Sequence, residues 1–179
     1  MGKVTQKQIE DWKKEHGDVY GITVGKITGY FKKPNRMVMG FASSLKPDML
    51  AYKEAILKGS FIGGNDAIYK QDDCFYAACV ELDKLLEFQA VEVKAVKKDK
   101  QDVYRISANE KIAYISQPSR KDVATMLMLD DDVKKAEYLL DKCWLSGDEC
   151  FKEEDEYFLP IHSSVEFVLG SKRAAVGKL

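Results

Sequence analysis

Gly17–Arg36 reads GDVYGITVGKITGYFKKPNR, and Gln101–Arg120 reads QDVYRISANEKIAYISQPSR. Side by side, Asp18, Val19, Tyr20 and Ile22 match Asp102, Val103, Tyr104 and Ile106, and Tyr30, Pro34 and Arg36 match Tyr114, Pro118 and Arg120. A residue inserted at the turn also brings Lys26 and Ile27 into step with Lys111 and Ile112. The match continues at a slightly shorter offset. Glu54 and Leu57 align with Glu137 and Leu140, Phe61 with Trp144, Gly64 with Gly147, Asp72 with Asp155, and Phe75 with Phe158. Ordered self-similarity over this length is the mark of a repeated unit. The chain therefore reads as a tandem duplication. An N-terminal helix (1–16) is followed by unit one (17–96), a charged linker (97–100) and unit two (101–179).

Within a unit the local signals are ordered. Val19–Val24 alternates side chains between two faces, and a second run, Ile27–Lys32, follows Gly25-Lys26. Two such runs around a Gly-containing turn predict a β-hairpin. The second unit repeats it with Asn109-Glu110 at the turn. Ser119 with Asp122 three residues later predicts a capped helix, and Asn35 takes the serine's place in unit one. Val38, Phe41, Ala42 and Leu45 then recur at helical spacing, which predicts that they face inward. A further helix is expected from about Pro47-Asp48 to Lys58. Its counterpart, Asp131–Lys142, carries Val133, Ala136, Leu139 and Leu140 on one face. A last helix is expected over about 72–94. In unit two Pro160 replaces Ala77, and proline inside a helix removes a hydrogen bond, so that helix is expected to start near Pro160. Ahead of unit one, Thr5 and Gln8 fit a capping box for a helix carrying Ile9 and Trp12. The fold class is α+β: two copies of a β-hairpin followed by about three helices.

Composition narrows the function. The 179 residues are 45% hydrophobic and 32% charged, with 28 basic and 29 acidic side chains. These values fit a folded domain, and neither half has a basic excess, so no nucleic-acid partner is expected. No run approaches the ~18 apolar residues of a membrane span, so no membrane partner is expected either. The N-terminus lacks the apolar core of a secretory signal. Cys74, Cys79, Cys143 and Cys150 are accordingly expected as buried thiols of a reducing compartment.

Each chemical motif has a plainer reading. Gly63-Gly64 lacks the pattern of a phosphate-binding loop and reads as a loop between helices. Cys143, Cys150 and His162 lack metal-site spacing, and unit one shares none of them at matched places. No metal or cofactor is expected. His16 and His162 lie in no setting that activates a nucleophile, so no catalytic residue is assigned. Asp72-Asp73 and Glu153-Glu154-Asp155-Glu156 sit where acidic residues favour helix starts. Phe61 and Trp144 share one position in both units. Each either closes the small core or anchors a partner. The basic segment SKRAAVGKL at 171–179 reads as a docking tail or a frayed terminus.

Lys33-Pro34-Asn35-Arg36, Gln117-Pro118-Ser119-Arg120, Leu139-Leu140-Asp141-Lys142-Cys143-Trp144-Leu145-Ser146-Gly147-Asp148-Glu149 and Asp155-Glu156-Tyr157-Phe158 form an ordered series. The series resembles short proteins of tailed bacteriophages and prophages, some like tail-assembly chaperones and others small virion components. Unit two matches better than unit one. The resemblance implies a non-enzymatic structural or assembly protein, an accessory subunit bound to capsid or tail. The alternatives are a tail-assembly chaperone or a cytoplasmic bacterial adaptor. Partners would be other virion or assembly proteins, or further copies in a homo-oligomer, located in the virion or the host cytoplasm.

Overall fold

The apolar alternation and the capped helical stretches sort into two units, residues 1–87 and 88–179. A computed structural model describes residues 4–170, so the basic segment 171–179 lies outside the described residues. The described chain is α+β.

Unit one opens with α1 (Gln6–His16), started by the expected capping box: the Thr5 hydroxyl accepts from the Gln8 amide, and the Gln8 side chain accepts from the Thr5 amide. Then follow β1 (Val19–Val24), β2 (Ile27–Lys32), α2 (Arg36–Ser44), α3 (Met49–Ser60), β3 (Phe61–Gly64), α4 (Ala67–Lys70) and α5 (Asp72–Leu85). The sheet order is β1-β2-β3, antiparallel throughout. Helices α3, α4 and α5 pack against its strands. Phe31, Ile56, Leu57, Ile68, Leu82 and Leu85 fill the space between, each almost wholly buried. Full burial of such a side chain contributes about 1.5–3 kcal/mol.

Unit two begins with β4 (Glu92–Lys98), then β5 (Gln101–Ala108), β6 (Lys111–Ser116), α6 (Arg120–Leu127), α7 (Asp132–Cys143), β7 (Trp144–Gly147), α8 (Cys150–Glu153), α9 (Asp155–His162) and α10 (Val165–Gly170). Its sheet order is β4-β5-β6-β7, again antiparallel. Ile106, Ile115, Met126, Leu139, Phe151 and Phe158 form its core.

From β1 to α5 and from β5 to α9 the two units run through the same order of elements, with the same strand register. Gly29, Tyr30 and Phe31 face Gly64, Gly63 and Phe61. Ala113, Tyr114 and Ile115 face Gly147, Ser146 and Trp144, with the bulge at the same step. Asp48 caps α3 by accepting from Leu50 and Ala51, as Asp131 caps α7 by accepting from Val133.

Five sequence expectations change. The hairpin turns hold no inserted residue: Val24 faces Ile27 and Ala108 faces Lys111, so both loops have two residues and Lys26 corresponds to Glu110. Gly25 and Asn109 take the positive φ that such a tight loop requires (61° and 51°). The loop assigned to Gly63-Gly64 is instead a strand, β3, formed because its backbone completes the ladder of β2. The last helix of unit one ends at Leu85, not near 94. The linker 97–100 is the end of β4 plus a two-residue turn, Asp99-Lys100, with both φ positive (52° and 68°). Finally, the helix containing Pro160 starts at Asp155 after all, and the chain breaks beyond it, at Ser163-Ser164. Burial of Phe158, Leu159 and Ile161 holds the turns around the proline. Ser163 donates its hydroxyl to the Pro160 carbonyl (2.8 Å) where the helix stops.

Candidate protein-interaction surface

Helix α2 carries more apolar residues than the core can take. Its sequence RMVMGFASS satisfies the core with Met39 and Ala42, both buried, while Val38 is half-buried beside Gly59. Met37 and Phe41, four residues apart, then share the opposite face and stand 77% and 62% exposed. This reverses the inward direction expected for Phe41. Helix α5 repeats the arrangement with Tyr76 and Val80, 55% and 74% exposed. Met49 and Leu50, at the start of α3, are half exposed as well.

Unit two is different at the matched places. Lys121 and Thr125 stand where unit one has Met37 and Phe41, while Leu159, the counterpart of Tyr76, is fully buried. Among the described residues of unit two, the exposed large apolar side chains are Ile112, Leu127, Met128, Leu145 and Phe167. Clustered exposed apolar side chains mark contact surfaces more often than scattered ones do. Comparing the units position by position reveals the α2 stripe from sequence, because Met37 and Phe41 meet Lys121 and Thr125 in α6, whereas Tyr76 meets another apolar residue, Leu159.

Phe61 and Trp144 are both half-buried and close the seam between helix and strand. Phe61 meets Phe31 and Tyr69 edge-on, with ring centres 5.6 and 5.1 Å apart. The Lys152 ammonium lies 4.3 Å from the centre of the Trp144 ring, a cation–π contact. Gly63 lets the Trp12 ring of α1 come close to β3, since a Cβ at that position would overlap it, and the Trp12 and Tyr30 ring centres are 5.6 Å apart.

The four cysteines are free and buried, and burial pushes each thiol above its ordinary pKa. A thiol held in that form is a poor nucleophile. Cys143, Cys150 and His162 are not brought together, and no group of His, Cys, Asp and Glu among the described residues could hold a metal ion. The acidic pairs lie in the first turns of α5 and α9. Asp122 is the carboxylate with the clearest environment. The Ser119 hydroxyl and then the Ser119 amide hold it below the usual range, with Tyr138 adding a third hydrogen bond (3.2 Å). Its role is to close the capping box of α6. No helix among the described residues is long and apolar enough to cross a membrane.

No family model matches this chain, and no curated protein or solved structure does either.

Proposed function

We propose that this chain is a non-enzymatic bacteriophage structural or assembly protein, an accessory subunit that binds capsid or tail through the helical faces of its first unit. The observation that carries the reading is the pair of exposed stripes, Met37 with Phe41 and Tyr76 with Val80. The motif series around Pro34, Pro118 and Cys143-Trp144 supplies the phage assignment by resemblance. Two units of like build and unlike surface suit a subunit that meets two kinds of neighbour. Linking two binding modules raises the effective concentration of the second to about millimolar for a short join.

The test has two parts. The chain is sought by mass spectrometry in purified particles of a phage that encodes it. Purified capsid and tail proteins are then titrated with wild type and with a Phe41→Ser, Tyr76→Ser double variant. The proposal expects incorporation or saturable binding, weakened at least tenfold by the double substitution. A chain absent from particles that binds none of the virion or assembly proteins overturns it.

A further inference from the structure

We infer that the free side of β1 is a self-association edge, at which two copies of this chain pair their β1 strands antiparallel about a two-fold axis. The comparison between units carries the argument. In unit two the strand that corresponds to β1 is β5, and β5 is not an edge. Strand β4 runs beside it, from Glu92 opposite Ser107 to Lys98 opposite Gln101. Among the described residues unit one has no such strand. Its leading element is α1, whose Trp12 lies on Tyr30 and Gly63 instead. Strand β1 is therefore the end of its sheet.

The hairpin register fixes which backbone groups are left over. Val24 and Ile27 close a two-residue loop, so Val24, Ile22 and Tyr20 bond to β2 and Val19, Gly21 and Thr23 point outward. Gly21 and Thr23 are exposed, whereas Val103, which takes Val19's place in unit two, is buried beside β4. Alongside β1 runs a cavity of about 260 Å³, bounded on the far side by Glu81, Lys84 and Leu85 of α5. A strand laid there would complete the ladder and cover that groove, the geometry of strand addition.

The two outer edges also differ in how they resist pairing. Strand β4 carries Glu92, Lys94, Lys97 and Lys98 in seven positions, the charged pattern by which edges avoid unwanted partners. Strand β1, VYGITV, carries no charge and no proline. Its three outward residues are centred on Gly21. A two-fold axis there sets Gly21 opposite Gly21 and Val19 opposite Thr23 twice, with no like charges in register. Gly21 and Thr23 are exposed, and Gly21 adds no side chain of its own at the centre of the edge. Self-complementarity is what selects a second copy over an unrelated strand.

Light scattering coupled to size exclusion tests this on the full chain at micromolar concentration. Wild type is expected near twice the 20.3 kDa chain mass. Gly21→Pro removes an N–H that the unit itself does not use, and edge strands tolerate proline at such a place. Thr23→Lys adds the missing charge. Both variants are expected to be monomeric, with unchanged circular dichroism, while Phe41→Ser stays dimeric. Should Gly21→Pro misfold, Thr23→Lys decides. A monomeric wild type overturns the inference, including one that binds a heterologous strand at β1. So does a dimer that survives Thr23→Lys, or one that Phe41→Ser abolishes.

Discussion

Ser60 shows what a single mismatch between the units is worth. Its hydroxyl is fully buried and has no hydrogen-bond partner, while unit two places Cys143 at the same position. A buried unsatisfied polar group costs about 1–3 kcal/mol. Ser60→Cys is therefore expected to raise the stability of unit one by about 1 kcal/mol in urea unfolding, and a loss of stability would show that the hydroxyl is satisfied. Gly147 is the opposite case. Its φ is 133°, and a Cβ there would overlap the Ala113 backbone and the Ile112 carbonyl. Gly147→Ala is expected to destabilise unit two by more than about 2 kcal/mol. Gly21→Ala, with nothing closer than 3.8 Å, should stay within about 0.5 kcal/mol. Comparable melting of the two alanine variants would contradict this. At this scale the sequence was half legible. Gly64 and Gly147 stood out by their shared position, but Phe41 was read inward because helical spacing alone cannot tell which of two apolar stripes meets the core.

Among the elements, the ones written in local chemistry were legible. Both hairpins and the capping boxes at Thr5 and Ser119 depend on residues a few positions apart. Strands β3 and β7 depend on partners far along the chain, and FIGG and WLSG have little strand character of their own, while β4 pairs with the adjacent β5 but is masked by its charges. The cap on α6 makes a pH prediction. Asp122 has a folded pKa below its unfolded one, so its contribution is complete above the ordinary carboxylate value of about 4 and fades as pH falls through the lowered value. The difference in thermal midpoint between wild type and Asp122→Asn should be largest near neutral pH and should narrow below about pH 4. A gap independent of pH would remove the carboxylate from the explanation. The proline makes another. Ala77→Pro, placed in the unbroken α5, is expected to cost about 3 kcal/mol. Pro160→Ala should not destabilise unit two, because it returns an N–H to α9. Urea unfolding followed at 222 nm measures both.

For the whole molecule, the α+β class was legible and the start of the second sheet was not. Sequence matching began unit two at Gln101, yet its sheet starts at Glu92, because β4 has no counterpart in unit one for an alignment to find. Each unit has its own core, so polypeptides 1–87 and 88–179 are expected to fold separately, each melting cooperatively with a native-like circular dichroism spectrum. A polypeptide 101–179 lacking β4 is expected to be less stable than 88–179, and equal stability would show that β4 contributes nothing. The exposed apolar stripes are hard to read from one unit alone for a related reason. They are surplus to folding, and only the contrast with Lys121 and Thr125 marks them.

One junction carries a consequence for how such a chain can change length. Helix α3 passes into β3, and α7 into β7, with no residue between them. Strand side chains alternate between faces, so one amino acid added after Ser60 or Cys143 would turn Phe61 or Trp144 to the wrong side of the sheet. Slack exists only upstream, where α2 has nine residues and α6 eight while the loops that follow stay equal. That is where the two units differ by one residue. Insertions and deletions in chains of this design should accumulate before the Asp48 and Asp131 caps and be missing from the helix–strand seams.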